Sequence, residues 1–234
     1  MKSTPSALKR RGMASPEEIA VCAALPWERL AEELHSEDAC RRTAAARCME
    51  LHREQAADLL LEQLAREECL YTRLAICECL EKGNTDTAEK MFPWLGRIGN
   101  NQYKALPDKV SAKKSFPLPR DLIARSLARM DTAVFPLLLQ LLETGSLQQI
   151  SEALDAAGFM AFYNKTLATG ENAERFLRLL HTHSDSEIIV WKVLLCLSAF
   201  PVPEAKLVLE EFAVRDDILG KEARRSLRYF IAGS

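Results

Sequence analysis

Seven cysteines, four histidines and several acidic pairs are the residues through which this 234-residue chain could do chemistry. Cys48 and His52 stand four apart, one turn of a helix, with His35 and Cys40 upstream, a spacing able to share a metal. Cys77 and Cys79 form a C-x-C, but side chains two residues apart on a helix point about 200° away from each other. His181 and His183 fall near a helix end and read as exposed or capping. Glu67–Glu68 and Asp216–Asp217 read as solvated faces or helix ends. Glycine-rich phosphate loops, H-E-x-x-H and G-x-S-x-G are all missing. No nucleophile, base and orienting group fall together. The sequence therefore predicts no catalytic residue, no metal ligand set and no cofactor. The cysteines sit mostly inside helical patterns. They predict free thiols in a reducing compartment, and so a cytoplasmic protein.

These residues must be carried by helices. Hydrophobic residues make up 48% and aromatics only 7%, with few glycines and prolines, a composition that disfavours a β-rich fold. No uncharged apolar run approaches the roughly 20 residues that span a bilayer. The basic N-terminus lacks the apolar stretch of a secretory signal, and residues 1–14 are predicted to be a mobile basic tail. Helices then come in pairs, first Trp27–Leu34 with Ala39–Leu51 and last Glu204–Val214 with Gly220–Ile231. The second helix of each pair stacks without gaps. The six segments are RRTAAARCM, TRLAICECL, PRDLIARSL, SLQQISEAL, IVWKVLLCL and LGKEARRSL. Their final column reads Met49, Leu80, Leu127, Leu154, Leu197, Leu227. The column before it is small throughout: Cys48, Cys79, Ser126, Ala153, Cys196, Ser226. Four places before the end stand Ala45, Ile76, Ile123, Ile150, Val193 and Ala223. Units recur at spacings of 31, 47, 27, 43 and 30, the range of helical repeat arrays. The columns fall on one stripe, predicted to be the core between helices, and Cys48, Cys79 and Cys196 are then small core residues rather than metal ligands.

The second-helix segments resemble the HEAT-repeat family, whose corresponding helix tends to read V-R-x-x-A-x-x-A-L. TRLAICECL and PRDLIARSL match that spacing, with Arg73 and Arg120 at the family's arginine, which Arg42 also matches. Leu147, Val190 and Gly220 depart from it, and only Glu67 offers the acid that precedes the arginine in the family. The resemblance covers most of residues 27–231. It implies an all-α, right-handed α-α superhelix of about six helical hairpins, one HEAT-like domain over residues 15–234. It also implies that second helices line a concave groove. Arg47, Glu78, Arg125, Glu152, Trp191 and Leu195 would then face the groove and bind a partner. Phycobilin lyases resemble the same architecture, as do HEAT-like alkylpurine DNA glycosylases. The glutamates and Asp155 on the predicted groove oppose phosphate, which disfavours DNA work.

Two features break the repeat. The fifth unit, EIIVWKVLLCLSAF, is apolar almost all round, with Lys192 its only charge after Glu187. Such a helix is normally buried, here by a bend or an adjacent loop. The alternative is an exposed patch that binds a partner or a second copy. The other feature is a basic insertion over residues 97–118, between two acidic blocks. The span 97–129 carries eight basic and two acidic residues. Helix–helix links usually run 2–8 residues, and long ones are commonly functional. Tyr103, Lys104, Lys109, Lys113, Lys114 and Arg120 are its candidate contacts, with Tyr103 and Phe116 able to pin the loop. The function expected is a non-enzymatic adaptor that binds another protein. The alternatives are nucleic-acid binding through the insertion, and an accessory role similar to that of phycobilin lyases.

Overall fold

The structure, a computed structural model, describes residues 4–231, without the side chains of residues 53, 54 and 231. It is all-α, with no strand among the described residues. Two compact units meet in sequence at Ile98 and Gly99. Unit 1 holds α1 (Pro5–Arg10), α2 (Pro16–Ala23), α3 (Trp27–Glu33), α4 (Ala39–Cys48), α5 (Arg53–Arg66), α6 (Leu70–Glu81) and α7 (Thr85–Met91). Unit 2 holds α8 (Leu122–Leu127), α9 (Phe135–Thr144), α10 (Leu147–Tyr163), α11 (Gly170–Thr182), α12 (Glu187–Leu197), α13 (Pro203–Ala213) and α14 (Ile218–Ile231). Where the sequence predicts a single array, the third pair is divided, with α7 in one unit and α8 in the other.

The three sequence columns form the core. All their residues are buried except Leu227, which is half-buried. The second helices pack on one another within each unit: α4 on α6, then α8 on α10, α10 on α12 and α12 on α14. First helices flank them, α5 against α6, α9 against α10, α11 against α12 and α13 against α14. Small residues in the second column allow the close approach. Gly158 in α10 sits where an added Cβ would lie 2.5 Å from Cys196 Sγ of α12 and 2.7 Å from Phe116 Cζ.

Local signals set the helix ends. Ser15 and Ser146 make capping boxes with Glu18 and Gln149. Asp121 caps α8 through the Ala124 N–H at 2.8 Å, which starts that helix at Leu122. α7 stops at Met91 and tightens into a 3₁₀ turn at Phe92–Trp94, where Pro93 offers no N–H. Residues 4–14, expected as part of a mobile tail, form α1 and a turn at Gly12, whose φ of 85° suits glycine. The Tyr71 N–H donates to the Arg11 carbonyl there, and Cys40 Sγ to those of Lys9 and Met13. Residues 1–3 of that tail lie outside the described residues.

Arg42 and Glu67, which the sequence offers as an arginine and a preceding acid, pair with each other. The guanidinium donates to both carboxylate oxygens at 2.8 Å. Burial alone would raise the Glu67 carboxyl. Bonds from Arg42, the Cys69 N–H and Gln63 outweigh it and hold the group below its ordinary value.

Candidate basic surface over a buried polar cluster

The insertion carries neither helix nor strand from Gly99 to Arg120. It folds onto the helices of unit 2, and side chains of both hold it there. Arg225 of α14 donates through Nε to the Ser111 carbonyl at 2.9 Å, and through Nη2 to Ser115 at 3.0 Å and Lys113 at 3.4 Å. Arg125 of α8 donates to the Pro119 carbonyl at 2.9 Å. Phe116 is buried against Phe159 and Phe162 of α10, with centroids 6.3 and 5.5 Å away. Tyr103 meets the Trp191 ring of α12 edge-on at 4.9 Å. An irregular segment has no backbone ladder of its own, so its carbonyls take partners from the helices beneath.

This arrangement corrects the groove reading for unit 2. Trp191 is 4% exposed and Leu195 3%, because the chain's own insertion covers them. Glu152 is buried as well, and Arg125 is half-buried beneath the insertion's end. Arg47 and Glu78 lie on the exposed surface of unit 1 and pair with each other at 3.3 Å. Tyr103 is half-buried, whereas Lys104, Lys109, Lys113, Lys114 and Arg120 are exposed. Arg120 lies over the Tyr103 ring, 4.4 Å from its centroid.

Below the insertion lies a polar cluster within an apolar core. The sequence marks Lys192 as a lone charge on an apolar helix, and a buried ammonium needs partners. Its three protons go to the Ser151 carbonyl at 2.8 Å, Glu152 Oε1 at 3.1 Å and Asp155 Oδ2 at 3.0 Å. Beside it, Glu222 accepts from Trp191 Nε1 at 3.1 Å and from Arg225 Nη1 at 3.0 Å. The sequence places Glu152 and Asp155 on the predicted groove rather than in a buried cluster, and it does not single out Glu222. The signal for the cluster was Lys192 itself, with Glu152 and Asp155 three apart on the neighbouring second helix.

One ammonium facing two carboxylates is neutral when one carboxyl keeps its proton. Burial pushes the Glu152 carboxyl up to about 7, with the Lys192 charge opposing and the Asp155 charge adding. Burial also raises Asp155. Burial alone would lower the Lys192 ammonium, but Asp155 and Glu152 more than offset it and raise it. Glu152 Oε2 is buried without a partner, as suits an oxygen on a carboxyl that titrates.

A folded-state value above the unfolded one means that the native protein holds a proton the unfolded chain has lost. Stability from Glu152 is then full below its unfolded value of 4.5 and falls as pH rises through about 7, by about 3 kcal/mol in total. Melting temperatures of the native protein should drop from pH 5 to pH 8 more steeply than those of Glu152→Gln. Parallel profiles for the two proteins would exclude this titration.

All seven cysteines are free, and among the described residues no group of His, Cys, Asp and Glu is placed to hold a metal. No helix among the described residues is long and apolar enough to cross a membrane. No protein-family model matches the sequence, and no curated protein is similar to it.

Proposed function

We propose that this chain is a HEAT-like adaptor that binds an acidic segment of another protein through the outer surface of its basic insertion. The observation that carries the reading is a set of cations without counter-ions. Lys104, Lys109, Lys113, Lys114 and Arg120 are exposed and enter no ion pair among the described residues. Several cations elsewhere do pair, exposed Lys82 with Glu50 and half-buried Lys90 and Arg175 with Asp58 and Glu143, whereas the insertion gathers five that do not. Unpaired surface charge left on a fixed backbone steers an oppositely charged partner and fixes its register. The helical stack beneath acts as the scaffold, a right-handed superhelix on this reading. The partner surface moves from the groove of unit 2 to the segment that fills it.

The test is capture from the protein's own cells by the native chain and by the Lys113→Glu/Lys114→Glu double variant. The variant should bring down its partner at least about tenfold less well, because like charges now face each other. Its melting temperature should stay within about 2 °C, since surface substitutions change stability little. Equal capture overturns the reading. Nucleic-acid binding, the competing reading, would show as capture lost after nuclease treatment and falling steeply with salt.

A further inference from the structure

We propose that the cavity between the insertion and α12 is a binding site for a phosphate monoester on a short apolar stem. The inference rests on the reading of the insertion as the binding surface and names the group that surface takes. The cavity measures about 260 Å³, and Lys109, Lys113 and Arg120 line it together with Tyr103, Trp191 and Leu195. Three cations around one small space fit a group of two negative charges better than a single carboxylate, and a guanidinium offers a phosphate two parallel N–H bonds. Arg120 lines the cavity and lies over the Tyr103 ring, 4.4 Å from its centroid, a contact that restrains the guanidinium beside the space.

Asp155 and Glu222 also line the cavity and would repel an anion if their charges were free. Both are already engaged. Lys192 holds Asp155, while Arg225 and the Trp191 indole hold Glu222. The aromatic and aliphatic walls take the stem that carries the phosphate. The volume lies just below the small end of the roughly 300–1,000 Å³ range of ligand pockets and suits a small ester. A phosphorylated side chain and a small free phosphate ester present the same chemistry here.

The Trp191 indole N–H is the reporter, because it forms part of the wall. Its NMR signal is one of three tryptophan indole signals, identified by its loss in Trp191→Phe. Four probes are titrated into the full chain: phenyl phosphate, a phosphoserine tripeptide, inorganic phosphate and phenylacetate. The expected result is a saturable shift with at least one of the two monoesters, weakened about tenfold or more in Arg120→Met and in Lys109→Met/Lys113→Met. Tighter binding of the tripeptide identifies a modified protein as the source, and tighter binding of phenyl phosphate a free ester. Equal binding by inorganic phosphate, equal binding by phenylacetate, or no saturable shift with either monoester overturns the proposal. The charge-reversed Lys113/Lys114 protein should weaken the shift as well, because Lys113 lines the cavity. Failure here with charge-dependent capture intact removes the phosphate site and leaves the adaptor reading standing.

Discussion

Replacing Lys192 with methionine should lower stability at pH 7 by about 3–5 kcal/mol, the cost of leaving buried carboxylates without their partner. The side chain is 0% exposed, and each of its three donated bonds ends on an oxygen inside the core. Methionine fills a similar volume, so packing changes little and the loss is electrostatic. Part of it should return at pH 5, where Glu152 can hold a proton. The triple variant Lys192→Met/Glu152→Gln/Asp155→Asn should recover much of the remainder, because neutral groups need no counter-charge. Urea melts at the two pH values measure all of this. A single variant whose loss is the same at pH 5 and pH 7 would show that shape and not charge is lost.

The second large effect concerns Arg225. Arg225→Met should cost about 2–5 kcal/mol, since it strips a buried carboxylate of a cation and three carbonyls of their donor. Glu222 would keep only the Trp191 indole, and Ser111 and Ser115 would lose their bonds at 2.9 and 3.0 Å. Tyr229, whose hydroxyl reaches the Lys113 carbonyl at 3.4 Å, is too far to replace them all. The insertion should then lift from the helices, and trypsin should cut at Lys109, Lys113 or Lys114 well before any site in the helices. Limited proteolysis followed by mass spectrometry reads this directly. Cutting at an unchanged rate would mean that Phe116 and Arg125 hold the segment without Arg225.

The two effects fall on different sides of what the amino-acid pattern makes legible. The core stripe is periodic, so Leu80, Ile123 and Cys196 could be placed on buried faces from spacing alone, and all three are buried. Capping is local, and Ser15 with Glu18 could be read as a helix start for the same reason. Residues 99–120 have no period. Their docking depends on bonds from Arg225 and Arg125 to backbone carbonyls, and a carbonyl leaves no mark in the sequence. The cover over Trp191 was therefore legible only as one of two alternatives. The basic character of the insertion was plain, but its unpaired state required knowing which carboxylates lie nearby.

Arg225 and Ser111 are joined by a hydrogen bond across 114 residues. A chain made from its N-terminus exposes the insertion long before α14 exists to hold it, and at about 5–20 residues per second that interval lasts several seconds. Until α10 is made the Phe116 side chain has no core to enter, and until α14 is made the carbonyls of Ser111 and Ser115 lack their arginine donor. A nascent chain in this state offers chaperones and proteases a segment that the finished protein withholds. The bonds from α14 to the insertion thus set when the binding surface acquires its shape, and any event that loosens α14 returns the insertion towards its newly made condition.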